Sequence, residues 1–260
     1  MIFKSPFPQL NRSTPLTYGL AEYLPFYEHV GSTTYDISGN DKHGVLTNMT
    51  DANWVSSPRG GALRFAASDY ILVDPGLGYS ADLAFAIWCK SSITNYTSSG
   101  YTIMQYDVGS GNREWGLLAV SASDKWGLQL GDGAGSAGWL YPTSQSVELG
   151  WHHLAITGNN VAKSWNFYYD GKFVETLYNS GADAFSDQGS TFTIGSPPGS
   201  SASFLGDIEE AAVWHRQLSA SDIKLLYENP NAMTEAVATV WPNKRSPWYY
   251  RAQEELVICG

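Results

Sequence analysis

The chain has 260 residues, a formal net charge of −10 and an isoelectric point near 4.8. Nucleic acids and anionic membrane surfaces are both bound through clustered lysines and arginines, so this acidic balance argues against either partner. Aromatic residues make up 14% of the chain, and 26 glycines with 12 prolines supply many turns. Since aromatic side chains suit the pleated surface of a sheet, the composition favours an all-β protein.

Residues 1–16 show no clear hydrophobic period and are interrupted by prolines. They contain no long apolar run, so we expect no signal peptide. No stretch of about 18 apolar residues predicts a membrane-spanning helix, so we expect no membrane insertion. We interpret this segment as an arm that lies either on a partner or on its own domain. The protein is expected to be made in the cytoplasm and to reach the outside, if at all, by lysis or another route.

From Tyr18 onward, short apolar runs alternate with clusters of Gly, Ser, Asp and Asn, which is the pattern of many short strands. The runs are ALRF, DYILV, LAFAIWCK, TIMQYD, EWGLLAV, KWGLQLG, WHHLAITG, TFTIG and FLGDIEEAAVWHR. In SWNFYYDGKFVETL, Asp170-Gly171 predicts a two-residue hairpin turn, because such turns need φ > 0. Apolar alternation continues on both sides of the turn, at Trp165, Phe167, Tyr169 and Phe173.

The stretch SASDIKLLYEN predicts the one clear helix of the chain. Ser219 is placed to cap it and Asp222 to complete a capping box, while Ile223, Leu226 and Tyr227 share one face. Many short strands followed by a single late helix predict two antiparallel sheets packed as a sandwich or jelly roll. We divide the chain into an arm at 1–16, a domain at 17–230 and a tail at 231–260.

Tryptophans inside the predicted strands are expected in the core, namely Trp88, Trp115, Trp126, Trp151 and Trp214. The tail WPNKRSPWYYRAQ mixes proline with basic and aromatic residues, a composition enriched at protein interfaces. Either it folds back over its own sandwich or it clasps a neighbouring subunit. The predicted interface residues are Trp241, Arg245, Trp248, Tyr249 and Tyr250. The two cysteines, Cys89 and Cys259, are expected to be free thiols.

The stretch DISGNDKHG, residues 36–44, concentrates oxygen-bearing side chains in one loop. It is not an EF-hand, because Asp41 stands where that loop needs glycine and Thr47 where it needs a bidentate glutamate. Two interpretations stay open. Asp36, Ser38 and Asn40 supply part of a calcium shell, or Asp36 and Asn40 form turns by bonding their own backbone, with the loop glycines supplying φ > 0.

Exposed aromatic rings that stack on sugars, beside amides and carboxylates that bond hydroxyls, are what carbohydrate recognition needs. The predicted loops offer both, in Gly-rich surroundings that favour exposure. The candidate ligand-binding residues are Tyr96, Tyr101, Trp139, Tyr141 and Asp132. The alternative for each aromatic is packing at the rim of the core.

Nine segments of the chain, taken in order, resemble a laminin G-like jelly roll. They are PLTYGLAEYLPF, YDISGNDKHGVLTN, GGALRF, DYILV, LAFAIWCK, WHHLAIT, FYYDGKFV, TFTIG and FLGDIEEAAVWHRQLSASDIKLLYE. This jelly roll is of the concanavalin A-like lectin/glucanase type, close to the pentraxin-like branch. The resemblance covers roughly Leu16 to Tyr227. It implies two curved antiparallel sheets and a role in carbohydrate binding or adhesion. It also implies calcium in some members, which adds Asp207 of GDIEE to Asp36 and Asn40 as a possible ligand.

Hydrolases of this fold carry E-x-D-x-E on one strand, and the period of two aims all three carboxylates into a cleft. With Asp207 as the central residue, Glu209 takes the acid/base position but Leu205 takes that of the nucleophile. Glu210 is expected on the opposite face. Glycoside hydrolysis is therefore a remote alternative, and no enzymatic activity is expected.

The sequence predicts a non-enzymatic surface or attachment module that binds glycans or cell-surface polysaccharide, with calcium as a candidate cofactor. The N-R-S-x-P-L opening resembles proteins of bacteria and tailed phages. The alternative is accordingly a structural, decorating or accessory protein on a phage virion surface. In that case the terminal arms would contact other copies or other virion proteins.

Overall fold

A computed structural model describes residues 8–74, 76–78, 80–96, 101–107, 113–120, 124–131, 137–178, 191–195 and 204–234. Within these ranges strands predominate, which confirms the all-β prediction. The strands are β1 Leu20–Leu24, β2 Thr33–Thr34, β3 Gly44–Thr47, β4 Trp54–Ser56, β5 Gly61–Phe65, β6 Tyr70–Val73, β7 Asp82–Ser91, β8 Tyr101–Asp107, β9 Arg113–Val120, β10 Lys125–Gly131, β11 Ala137–Leu140, β12 Gly150–Asn159, β13 Ser164–Tyr169, β14 Lys172–Tyr178, β15 Thr191–Gly195 and β16 Gly206–Trp214. One α-helix, α1, spans Ala220–Glu228, and 3-10 turns span Pro15–Thr17 and Asp51–Asn53.

The strands form two antiparallel sheets, as predicted for a jelly-roll sandwich. Sheet A has the order β14-β13-β12-β7-β16-β5-β4, and β1 also pairs with β16. Both β5 and β1 lie on the same edge of β16, β5 beside residues 206–208 and β1 beside residues 211–214. Sheet B has the order β11-β10-β9-β8-β15-β6-β3-β2. Sequence neighbours are often separated in these orders, so long-range pairing sets the fold.

The main core lies between the two sheets. Phe85 of sheet A stacks on Trp115 of sheet B, with ring centroids 4.8 Å apart. Trp126 and Trp165 are fully buried in the same core. Two of the five tryptophans predicted as core residues, Trp115 and Trp126, therefore lie between the sheets. Trp151, the second residue of β12, is only half-buried.

A second apolar cluster closes the outer face of sheet A. Ala84 and Ala86 alternate along β7 with residues of the main core, so they point away from it. Their small side chains let α1 approach the sheet, and Ile223 and Leu226 of the helix are buried in this second cluster. Trp214 also lies here, fully buried, and not between the sheets.

Helix α1 begins as the sequence predicts. The Ser219 side chain accepts a hydrogen bond from the backbone N–H of Asp222, and the Asp222 side chain accepts one from the backbone N–H of Ser219. This capping box satisfies two N–H groups that the first helical turn leaves without partners.

The described part of the N-terminal segment lies on its own domain. Leu16 is 1% exposed and belongs to the cluster under α1. The backbone N–H of Asn11 donates to the carbonyl of Met233 at 2.9 Å, and Leu10 forms an isolated bridge with Thr234. Residues 8–16 and 231–234 are thus packed against each other. The predicted interface residues of the tail, 241–250, lie outside the described residues.

The Asp170-Gly171 hairpin is confirmed, with φ of 48° and 72° at its two turn residues. The predicted alternation fails after it. The two-residue turn pairs Tyr169 with Lys172, so Phe173 lies opposite Tyr168 and is 55% exposed. Beyond this pair, a β-bulge places Glu175 opposite Phe167. An extra residue in one strand of a pair moves later side chains to the other face.

Candidate functional site

The Asp36 loop is held together by its own hydrogen bonds. Asp36 Oδ1 accepts from the backbone N–H groups of Tyr23 (3.0 Å) and Ser38 (2.8 Å). Its Oδ2 accepts from the Ser38 hydroxyl at 2.7 Å and from the Lys42 N–H at 3.3 Å. The Asn40 amide donates to the carbonyls of residues 20 and 21. Asp36 therefore forms a turn that bonds its own backbone, whereas the Asn40 side chain bonds β1 instead.

Of the two loop glycines expected at positive φ, only Gly39 has it, at 98°. Gly44 lies in β3, and an ideal Cβ there would stand 2.4 Å from Ile71 Cγ2, so it is required by packing between strands. His43 accepts a hydrogen bond at Nδ1 from the Asp36 N–H at 3.1 Å. The loop is thus tied to β1, β3 and β6.

Asp207 lies apart from the Asp36 loop. Arg64 Nε and Nη2 donate to its two oxygens at 2.8 and 3.2 Å, and Lys90 Nζ lies 3.7 Å away. Asp36 accepts a hydrogen bond from Tyr23, and Tyr23 pairs with Ala212 of β16. Ala212 lies five residues along β16 from Asp207, which corresponds to about 17 Å between these two positions. Among the described residues, no three His, Cys, Asp or Glu side chains converge on one metal position. Calcium stays a prediction, and at this loop an ion would have to displace donors of the chain.

The two glutamates after Asp207 meet on one face of sheet A, contrary to the expectation that Glu210 points away from Glu209. A β-bulge between Ile208 and Glu210 breaks the period of two. Arg59 Nε lies 3.4 Å from Glu209 Oε1, and Arg59 Nη2 lies 3.3 Å from Glu210 Oε1. The Tyr23 hydroxyl donates to Glu210 Oε2 at 3.0 Å. Both carboxylates are engaged by a buried cation.

Aromatic rings complete this buried cluster. The Arg59 guanidinium lies 4.2 Å from the ring centroid of Trp88, and Trp88 stacks on Tyr227 of α1 at 5.5 Å. His153, 1% exposed, lies beside both rings. Its burial, and secondarily the nearby Arg59 charge, lowers the pKa of His153 to about 4. We call Arg59, Trp88, His153, Glu209 and Glu210 the arginine cluster.

Two of the predicted sugar-stacking aromatics, Tyr96 and Tyr101, pack against each other. Tyr96 is 3% exposed and its hydroxyl lies 2.5 Å from that of Ser91, so its ring offers no open face. Tyr101 packs against Tyr96 with centroids 4.5 Å apart. Tyr141 is 42% exposed. The backbone of Trp139 lies in β11, and Asp132 lies outside the described residues.

Sequence reasoning missed a polar row across the outer face of sheet B. Thr193 lies between the core residues Phe192 and Ile194, and Gln105 lies between Met104 and Tyr106, so both point away from the core. The two residues are direct partners in the register of β15 and β8.

The row continues across neighbouring strands. We define the cross-strand row as the successive register partners Val45, Leu72, Thr193, Gln105, Gly116, Gln129 and Trp139. With strands about 4.8 Å apart, these seven positions span roughly 29 Å. Gly116 leaves the row without a side chain between the amides of Gln105 and Gln129. The row therefore crosses seven strands of sheet B and carries three polar side chains, those of Thr193, Gln105 and Gln129.

Polar groups line the floor of this row. Gln105 and Thr193 expose none of their surface, whereas Val45 at one end is 52% exposed. The Thr102 hydroxyl donates to Gln105 Oε1 at 3.3 Å, and Gln105 Nε2 donates to Asp107 Oδ2 at 3.4 Å. Within the described part of the chain, the buried Thr193 hydroxyl has no hydrogen-bond partner. Such a group costs free energy unless something bonds it.

The fold and sites place the chain in a known class. A laminin G family model, described as the concanavalin A-like lectin/glucanases superfamily, matches residues 65–224. This match covers more than half of the chain, so the protein belongs to that superfamily. The resemblance seen in the sequence is thereby confirmed.

Two curated relatives match a large part of the chain. Both are the Sushi, von Willebrand factor type A, EGF and pentraxin domain-containing protein 1, from Rattus norvegicus (25% identity over 200 residues) and from Mus musculus (27% over 211). Each match covers 72% of this chain but only 5% of the relative. The chain therefore corresponds to a small part of those proteins.

Solved structures show the same fold. The receptor binding domain of botulinum neurotoxin C/D mosaic serotype has a TM-score of 0.62 at 18% identity, covering 82% of this chain and 51% of that one. Domain 4 of an extracellular arabinanase from Geobacillus stearothermophilus, in complex with arabinotriose, has a TM-score of 0.56 at 18% identity, covering 80% of this chain and 98% of that one. Among the described residues, no helix is long and apolar enough to cross a membrane.

Proposed function

We propose that the protein is a non-catalytic glycan-binding module whose ligand lies along the cross-strand row of sheet B. The observation that carries this proposal is the Thr193 hydroxyl, which is 0% exposed and has no partner among the described residues. A ligand that bonds this hydroxyl must displace the groups that cover it. Thr193 stands between the Leu72 position and the Gln105 amide in a row of register partners. A sugar hydroxyl supplies both the donor and the acceptor that such a group requires.

The family supports a binding role. One solved relative is a domain of an arabinanase in complex with arabinotriose, and another is a botulinum neurotoxin binding domain in complex with SialylT. Protein sites for such ligands combine an apolar rim with a few placed polar groups. The cross-strand row has this composition, with Val45 exposed at its end and amides at its centre.

The absence of catalysis is part of the proposal. The hydrolases of this fold need two carboxylates on either side of the scissile bond. Here Asp207 is paired with Arg64, while Glu209 and Glu210 share Arg59 in a cluster that is almost closed to solvent. The two glutamates thus engage Arg59 and are not set apart on either side of a scissile bond.

The experiment is a glycan array, followed by calorimetric titration of the hits, with the whole chain and with Thr193→Val. Valine has the shape of threonine without the hydroxyl, so the fold is expected to tolerate it. Loss of one neutral hydrogen bond should weaken binding about fivefold to tenfold. Each array is run with calcium and with chelator, which also tests the predicted cofactor.

The matched control is Thr157→Val. Thr157 is equally buried, at 1%, but lies on the outer face of sheet A, where its hydroxyl accepts from the Leu218 N–H at 2.9 Å. It should leave glycan affinity unchanged. If wild type and Thr193→Val bound glycans with equal affinity, the ligand would not lie along the cross-strand row. If the wild type bound no glycan on the array, the lectin proposal would be wrong.

The alternative of a virion structural protein rests on the predicted terminal arms. The described segments 8–16 and 231–234 contact each other, so assembly contacts would come from residues 235–260. In that alternative, the protein lies on the virion surface or is otherwise extracellular. Light scattering tests it: the assembly function requires rings or larger species, whereas a simple lectin requires a monomer or small oligomer.

A further inference from the structure

The segment that leads into β1 forms an open cleft on the surface of the domain. The cleft has a volume of 410 Å³, which falls in the range of about 300–1,000 Å³ typical of small-molecule sites. It is lined by Arg12, Ser13, Thr14, Pro15, Thr17 and Tyr18. The segment leads into β1 of sheet A, so the cleft is separate from the cross-strand row of sheet B.

The backbone of this segment is fixed by side chains at the end of β16 and just after it. The indole N–H of Trp214 donates to the Leu16 carbonyl at 2.6 Å. Arg216 donates from Nη2 to the Pro15 carbonyl at 3.0 Å and from Nε to the Tyr18 carbonyl at 2.7 Å. A surface that is already ordered loses little conformational entropy when a ligand binds. The cleft is therefore preorganised.

Tyr18 presents its ring to solvent from this fixed backbone. It is 79% exposed, although Leu16, two residues earlier, is buried at 1%. An exposed tyrosine on an ordered segment offers a large apolar face with a polar hydroxyl at its tip, at little entropic cost. This combination suits the apolar face and the hydroxyl edge of a sugar ring.

Arg12 supplies a cation to the same cleft. Gly39 has a φ of 98°, and an ideal Cβ there would stand 2.6 Å from Arg12 Nη2, so glycine leaves the room that the guanidinium occupies. Among the described residues, no carboxylate forms an ion pair with Arg12. A planar guanidinium matches a carboxylate with two parallel hydrogen bonds.

Hydroxyl oxygens complete the lining. The Ser13 hydroxyl donates to Asn11 Oδ1 at 2.5 Å, and the Thr17 hydroxyl donates to the Thr14 carbonyl at 2.9 Å. Both protons are thus directed into the segment, which leaves the oxygen lone pairs to accept from a ligand. The cleft offers a ring face, one cation and acceptors for hydroxyl groups.

We propose that this cleft binds a saccharide unit that carries a carboxylate. The carboxylate pairs with Arg12, the sugar ring packs on Tyr18, and sugar hydroxyls donate to Ser13 and Thr17. The inference takes the ligand class, saccharides, from the proposed function, but it concerns a second site. On a chain of net charge −10, an anionic ligand needs such a local cation, so binding should weaken as salt is added.

The test is an NMR titration of the whole chain with threonine methyl groups labelled. The probes are trigalacturonic acid and its neutral methyl ester. The acid should shift the methyl signals of Thr14 and Thr17 and leave that of Thr193 in place. Arg12→Gln should weaken binding of the acid about tenfold. Wild type should bind the ester with the same low affinity that Arg12→Gln has for the acid. Tyr18→Ala should weaken both probes, and Tyr18→Phe should retain most of the affinity.

Exposed residues outside the cleft provide matched controls. Lys224→Gln removes a cation whose side chain is 64% exposed on α1, and Tyr178→Ala removes a tyrosine that is 69% exposed on β14. Both should bind the acid as wild type does. Equal binding of acid and ester, or unchanged binding by Arg12→Gln, would overturn the proposal.

The two proposed sites fail separately. Shifts at Thr193 instead of Thr14 and Thr17 would assign the acid to the cross-strand row and overturn the cleft alone. Shifts at Thr14 and Thr17, combined with a Thr193→Val variant that binds glycans normally, would overturn the row and support the cleft. If no threonine methyl signal shifted with any saccharide, both proposed sites would be wrong.

Discussion

The outer faces of the two sheets differ in chemistry although both belong to one sandwich. On sheet A, small residues such as Ala84 and Ala86 lie beneath α1, and polar groups are paired within the arginine cluster. On sheet B, the corresponding face carries Thr193, Gln105 and Gln129 in the cross-strand row. The first face is closed by the chain's own helix, and the second has the polar composition of a binding surface.

Two threonines summarise the difference. Thr157 on sheet A and Thr193 on sheet B are buried to the same degree, at 1% and 0% exposed. The hydroxyl of Thr157 accepts from the Leu218 N–H, whereas that of Thr193 has no partner in the described ranges. The Thr157 hydroxyl on sheet A is therefore paired within the chain, whereas the equally buried Thr193 hydroxyl on sheet B is not. Variants on the two faces should separate stability from binding.

The largest effect is expected from Arg59→Met. The variant keeps an apolar stem over Trp88 but removes the Arg59 charge that Glu209 and Glu210 face. Removing one partner of a buried ion pair costs about 3–5 kcal/mol of unfolding free energy. Urea denaturation at pH 7 measures the loss. Glycan binding by the folded fraction should be unchanged.

The control is Arg64→Met, on the same sheet. Arg64 forms an ion pair with Asp207, but its side chain is 58% exposed. Surface pairs contribute about 0–1 kcal/mol, because solvent screens them. A comparable loss in both variants would contradict the view that burial of the two glutamates makes the arginine cluster essential to folding.

A second effect on sheet A depends on pH. His153 is buried and neutral, with its pKa lowered to about 4 mainly by burial. As pH falls below 6.5, the unfolded chain binds a proton before the folded chain does, so stability is lost between pH 6.5 and about 4. The shift of about 2.5 pKa units corresponds to about 3 kcal/mol at the end of that window.

The measurement compares unfolding free energies at pH 7 and pH 4.5 for wild type and His153→Gln. Glutamine does not titrate, so the variant should lose about 2–3 kcal/mol less than wild type over this interval. His29→Gln, at an exposed histidine, is the control and should follow wild type. Parallel losses in wild type and His153→Gln would show that His153 is not the group that responds to acid.

Local patterns in the sequence predicted much of the fold. Asp170-Gly171 marks its hairpin because only a few residue pairs adopt positive φ twice in succession, and Ser219 with Asp222 marks the helix start because the capping box is a four-residue signal. The bulge before Glu210 carries no such signal. One unpaired residue in β16 brings Glu209 and Glu210 together, and period-two reasoning placed them apart.

The candidate site was less accessible to sequence reasoning. Thr193 and Gln105 are neighbours because β15 inserts between β8 and β6, strands distant from it in sequence. The available signal was a polar residue at an outward position within TFTIG and TIMQYD, which is common on any sheet face. Tyr96 was a candidate for sugar stacking with packing at the rim of the core as the alternative, and its ring packs inward beside Ser91.

The smallest expected effect is the difference in unfolding free energy between Thr157→Val and Thr193→Val. The first change leaves the Leu218 N–H buried without an acceptor, which costs about 1–3 kcal/mol. The second replaces a hydroxyl that has no partner among the described residues by a methyl group of the same shape, so the free energy of unfolding should stay within about 1 kcal/mol or rise. Denaturation midpoints of the two variants, measured side by side, decide it. If Thr193→Val were the more destabilised, its hydroxyl would serve the fold, and the outer face of sheet B would be closed in the same sense as that of sheet A.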